Sequence, residues 1–135
     1  MFSKILKNNH GSSAVQFAFV APTLILLTLG IIDMGRLGFA ATTVRNAAME
    51  AARYASLHGS SSPTPANEAA IVAVAKNQAV GIPQADLAVT VTWTPNNNSG
   101  SQVRVQLTYP IDLFISGLIP IPDITLSRSS AMMVF

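Results

Sequence analysis

At 135 residues the chain has room for one domain of ordinary size and little else. Only 10% of its residues are charged and 50% are hydrophobic, against about 25% charged in an average soluble domain, a composition that points to a membrane. The net charge of +2 is spread thinly from Lys4 to Arg128, without the stripe a nucleic-acid interface requires, and the absence of cysteine excludes disulfides, thiolate nucleophiles and cysteine-ligated zinc.

The first predicted element is a membrane span. No charged residue occurs from Gly11 to Ile32, and as a helix this stretch covers roughly 33 Å against a hydrocarbon core of about 30 Å. Its centre is apolar on every face, which means lipid or a deep bundle. Lys4 and Lys7 precede it, while Asp33 and Arg36 after it nearly cancel, so the basic bias places the N-terminus in the cytoplasm. The competing expectation is a cleaved secretory signal, with a cut near Ala40 that frees a soluble adhesin or binding module. A signal's apolar region is usually about 7–15 residues long, shorter than this one.

Helical character continues past the membrane. Leu37 to Leu57 is rich in alanine and free of proline, with Ser12 or Ser13 as the expected N-cap of the whole rod and Gly59 where a left-handed C-terminal cap belongs. Pro22 is the interior helix breaker, and a kink is expected there. Ala40, Ala41, Ala47, Ala48, Ala51, Ala52 and Ala55 form a small-residue surface that admits a second backbone closely. Asp33 stands three residues before Arg36, and Glu50 three before Arg53, spacings that put opposite charges on one face.

The remainder reads as a small domain. Ser60 to Pro63 is a loop, then Thr64 as N-cap and Pro65 at the first helical position open a second helix to about Val80, stopped by Gly81 and Pro83. Leu87, Val89, Val91 and Trp93 alternate with polar or small residues, as do Val103, Val105, Leu107 and Tyr109, so two antiparallel strands flank a hairpin loop at Asn96–Gly100. Ile124 to Val134 gives a third strand, with a shift of phase expected around Ser127 to Ser130. Between Pro110 and Pro122 lies an apolar run, Ile111 to Ile119, too short to span a bilayer and too oily for an ordinary loop. It caps the core or touches the membrane or a partner.

Chemistry is not signalled anywhere. His10 and His58 have no second histidine or cysteine nearby to complete a metal site, the carboxylates are widely separated, and no phosphate-binding glycine loop or nucleophile elbow is present. The expectation is a protein that is not an enzyme and takes no cofactor, metal or small-molecule substrate.

The runs Gly11-Ser12-Ser13-Ala14-Val15-Gln16-Phe17-Ala18-Phe19-Val20-Ala21-Pro22, Gly30-Ile31-Ile32-Asp33-Met34-Gly35-Arg36 and Asn46-Ala47-Ala48-Met49-Glu50-Ala51-Ala52-Arg53-Tyr54-Ala55 together resemble the TadE-like family, minor pseudopilins of the tight-adherence (Flp) pilus system. The resemblance covers the first 55 to 60 residues. It implies a basic leader, Met1 to Gly11, removed by a prepilin peptidase so that Ser12 becomes the first residue. It also implies a bacterial inner-membrane location with the C-terminal domain periplasmic, and partnership with other pilins, pseudopilins and the pilus assembly machinery. Pilin-like proteins usually carry glutamate at the fifth mature position. Here Gln16 takes that place and offers hydrogen bonds without an ion pair.

The expected fold is α+β: leader 1–11, transmembrane segment 12–36, extramembrane helix 37–59, and an exported domain 60–135 with a second helix packed on an antiparallel sheet of three or more strands. Gly11 and Ser12 are the processing residues. Gln16, Phe17, Pro22, Asp33, Arg36, Glu50 and Arg53 are the assembly residues, acting through helix–helix packing in pilus assembly.

Overall fold

In the computed structural model, which describes residues 10–135, the chain begins with one helix, α1, from His10 to Leu57. At ~1.5 Å per residue its 48 residues measure about 72 Å. Most of the expected leader, Lys4 and Lys7 included, lies outside the described residues. Ser12 and Ser13 fall inside the helix rather than capping it, and the helix runs on through Pro22. In its apolar half the Thr23 and Thr28 hydroxyls donate to the carbonyls of Phe19 and Leu24, at 3.2 and 2.8 Å, so each finds its acceptor one turn back in its own helix.

The second half of α1 is the spine of the domain. Ala40, Val44, Ala47, Ala48, Ala51, Ala52 and Ala55 are all buried, at steps of three and four that keep them on one face. Their small side chains let other elements come close, and those elements belong to the same chain. Helix α2, Glu68–Gln78, packs on α1 through Ile71 and Ala75, both fully buried.

The sequence reading placed the start of α2 too early. Asn67 is the N-cap, its side chain accepting from the Ala70 amide at 2.8 Å. Asn67 has helix-forming Glu68, Ala69 and Ala70 directly behind it, and asparagine ranks above threonine as an N-cap, so it outcompetes Thr64.

Strands β1 (Ala88–Thr94), β2 (Gln102–Ile111) and β3 (Ile124–Met133) form an antiparallel sheet in the order β1-β2-β3. Val103, Val105 and Leu107 point into the core and are fully buried, while Arg104 and Gln106 are exposed on the opposite face. Burying such a side chain contributes about 1.5–3 kcal/mol. The sheet face is covered mainly by α1, which lies against β2 and β3, whereas α2 sits on α1 and reaches β1.

No phase shift interrupts β3. Pairing with β2 holds a single register from Gln102↔Met133 to Ile111↔Ile124. The serines and Arg128 that suggested a shift simply occupy the alternation: Arg128 pairs with Leu107 and Ser130 with Val105. Arg128 stays exposed because it lines an open polar groove with Arg45 and Asn46 of α1. Arg128 is tolerated at its inward position because the groove keeps its charged head in water.

Gly59 also departs from expectation. Among the described glycines only Gly81 and Gly100 have positive φ, at 80° and 87°, so the left-handed turn follows α2 and not α1. Gly59 is required for close approach instead: a Cβ there would collide with Val134 and stand 3.0 Å from the Asn97 carbonyl. The end of α1 is secured by hydrogen bonds. Nδ1–H of His58 donates to the Tyr54 carbonyl at 2.8 Å, with the two rings stacked 4.2 Å apart, and the Phe135 amide donates to the Ser56 carbonyl at 3.1 Å.

Candidate membrane and assembly surface

Continuing the buried stripe of α1 backward by steps of three and four, from Val44 through Ala40 and Leu37, leads to Asp33. This residue is buried, at 4% exposure. What it meets is the apolar run between Pro110 and Pro122, which forms a short 3-10 turn at Phe114–Gly117. Asp33 Oδ1 accepts the Phe114 amide at 3.0 Å and Oδ2 accepts the Ile115 amide at 2.9 Å. One carboxylate thus satisfies the two leading donors of the turn.

Arg36 completes the arrangement. Its Nη1 lies 3.3 Å from Asp33 Oδ1 and donates to the Asp112 carbonyl at 3.1 Å. Its guanidinium carbon sits 4.4 Å above the centre of the Phe114 ring, within the range of a cation–π contact. The spacing of Asp33 and Arg36 showed that they share a face, and the ion pair is present. Their main partners lie about 80 residues away, and nothing in the local pattern pointed there.

Below this junction α1 is bare. Phe17, Phe19, Ile25, Leu27, Ile31 and Met34 are all more than half exposed, Phe19 at 78% and Met34 at 75%. This apolar segment has the length and hydropathy to cross a membrane, and none of its most apolar window is buried. Such a surface is unfavourable in water and favourable in hydrocarbon. The 3-10 turn lies along the same surface: Ile115 shares an open apolar groove with Leu27, Ile31 and Met34, and Leu118 and Ile119 share another with Pro22, Ile25 and Leu26.

The other residues singled out in the sequence are distributed along α1. Gly11, Ser12, Gln16, Phe17 and Pro22 are exposed on its first half. Glu50 and Arg53 form a pair at 3.7 Å whose side chains are 45% and 65% exposed, worth little in that setting, and they lie far from the Asp33 junction. The small residues Ala40 to Ala55 serve the internal core. Sequence reasoning singled out the apolar run Ile111 to Ile119 as capping the core or touching the membrane or a partner, and the structure lays Ile115, Leu118 and Ile119 along the apolar half of α1; what it missed is Asp33 as the group that holds the run.

Residues 11–53 match the family of TadE-like proteins. No curated protein and no solved structure matches the chain.

Proposed function

The chain is TadE-like over residues 11–53, which relates it to the Tad pilus, and from that premise we propose that it acts as a membrane-anchored, pseudopilin-like component in the assembly of a bacterial surface pilus. The observation that carries this reading is the division of α1. Its second half is consumed by the chain's own domain, whereas its first half presents bare apolar surface flanked only along one side by the loop between β2 and β3. A rod of that kind is held in a bilayer and meets other helices there by side-chain packing, with Gln16 as a hydrogen-bonding group in an otherwise apolar stretch.

In this reading the first helical half occupies the inner membrane with its N-terminus cytoplasmic, and the α+β domain stands on the periplasmic side, where it meets other pilins and the assembly machinery. A prepilin peptidase cuts after Gly11. The protein is not an enzyme: it works by position and packing, without cofactor or small substrate.

The alternative, a soluble module freed by cleavage near Ala40, is disfavoured by a specific feature. Such a cut would strip the 3-10 turn of Asp33 and Arg36, the groups that satisfy its backbone. Fractionation with N-terminal sequencing tests the proposal. The expected result is a chain starting at Ser12 in detergent-extracted membranes or sheared pili; an unclipped chain that is soluble and monomeric without detergent overturns it.

A further inference from the structure

We infer that the loop 113–119 is a second lipid-contacting element, seated in the hydrocarbon beside α1 with acyl chains as its occupant. The inference rests on the membrane-anchored reading and adds to it a part of the exported domain. Two observations carry it.

The first is continuity. Phe114, Leu118 and Ile119 are 56%, 60% and 43% exposed, and Leu118 and Ile119 share an apolar groove with Pro22, Ile25 and Leu26 of the spanning half of α1. Leu26 lies about 10 Å below Asp33 along the helix axis at ~1.5 Å per residue. If α1 is in lipid at the level of Leu26, residues packed beside it at that level are in lipid too. No charge occurs from Leu113 to Pro122, and Asp112 and Asp123 mark the two ends.

The second is the backbone. Irregular chain survives at membrane depth only where its polar groups are satisfied from within the protein, and in this loop the amides of Phe114, Ile115, Ser116, Leu118 and Ile119 are so satisfied. The amides of Phe114 and Ile115 donate to Asp33, that of Ser116 to Leu113, and those of Leu118 and Ile119 both to Ile115. The Ser116 hydroxyl donates to the Leu113 carbonyl at 2.6 Å, and Arg36 supplies a donor to the Asp112 carbonyl. Pro120 and Pro122 have no amide proton to satisfy. Asp33 is accordingly a positioning residue: its carboxylate holds the turn in a form that lipid accepts.

The chain contains no cysteine, so single-cysteine variants of the full protein report their surroundings directly. Leu118→Cys, Leu27→Cys and Arg104→Cys are labelled with bimane and reconstituted into phosphatidylcholine–phosphatidylglycerol vesicles, and quenching by brominated acyl chains is compared with quenching by aqueous iodide. The expected result is lipid quenching at positions 118 and 27 and iodide quenching at position 104. Adding Asp33→Ala is expected to turn the label at 118 from lipid-quenched to iodide-quenched while that at 27 stays in lipid. Iodide quenching at 118 with lipid quenching at 27 overturns the inference and leaves the anchored reading standing. Shielding of 118 from both quenchers means that protein covers the loop, and overturns it equally. Iodide quenching at 27 removes the anchored reading, and the inference falls with it.

Discussion

Asp33 and Ile115 stand 82 residues apart in the chain, yet the carboxylate of the first accepts the amide proton of the second at 2.9 Å. The contact joins the apolar half of α1 to the loop between β2 and β3. It fixes how the domain sits on its rod, because Asp33 lies one helical step beyond the stripe that packs the core. Removing the carboxylate by Asp33→Ala leaves the Phe114 and Ile115 amides without their acceptor and Arg36 without its ion-pair partner. Hydrogen exchange is expected to accelerate about tenfold or more at residues 114–119, with β1 and β2 unchanged; uniform protection in mutant and parent would show that the carboxylate holds nothing.

The alanine face of α1 is filled by the chain's own elements, so enlarging it damages the domain rather than an intermolecular contact. Ala51→Leu is expected to destabilise by about 1–3 kcal/mol through overpacking. Ile71→Ala, which empties a fully buried site, is expected to cost about 2–5 kcal/mol. Denaturant titration of the detergent-solubilised chain, read on the single tryptophan Trp93, measures both.

Gly59 is held by space and not by dihedral angle. Gly59→Ala is expected to lower the thermal midpoint, with a loss of about 1–3 kcal/mol from forced displacement of Val134 and the Asn96–Gly100 loop. A compensating Val134→Ala change, which removes the colliding methyl group, is expected to recover part of the loss. Lack of recovery would place the strain on the Asn97 carbonyl instead.

Gln16 is exposed on the apolar half of α1, where a hydrogen bond to a neighbouring helix is worth about 0.6–2 kcal/mol. Gln16→Leu is expected to leave membrane retention intact and to reduce cross-linking to partner pseudopilins and recovery in sheared pili. Unchanged assembly would end the assignment of a packing role to this side chain.

Much of the architecture was legible from local pattern. The uncharged stretch Gly11 to Ile32 is helical, and the period-two alternation from Val89 to Trp93 and Val103 to Tyr109 became strands joined across Asn96–Gly100, because each signal is contained within a few turns or strand pairs. Errors fell where two local signals competed. Thr64-Pro65 and Asn67 both offered helix starts, and the cap with the stronger helix formers behind it prevailed. Arg128 and the serines of β3 looked like a break in phase because Arg128 takes an inward position that opens on a polar groove rather than on the core.

What the sequence determined by itself was the apolar rod, the helix beyond it and the antiparallel strands, all set by hydrophobic periodicity and backbone propensity at short range. Tertiary structure alone decided what the alanine face packs against, why Gly59 has no side chain, and which backbone groups Asp33 satisfies. The physical reason is distance along the chain. A carboxylate's partner among amides 81 and 82 residues away exists only once the sheet has closed on α1, and no local pattern encodes that meeting.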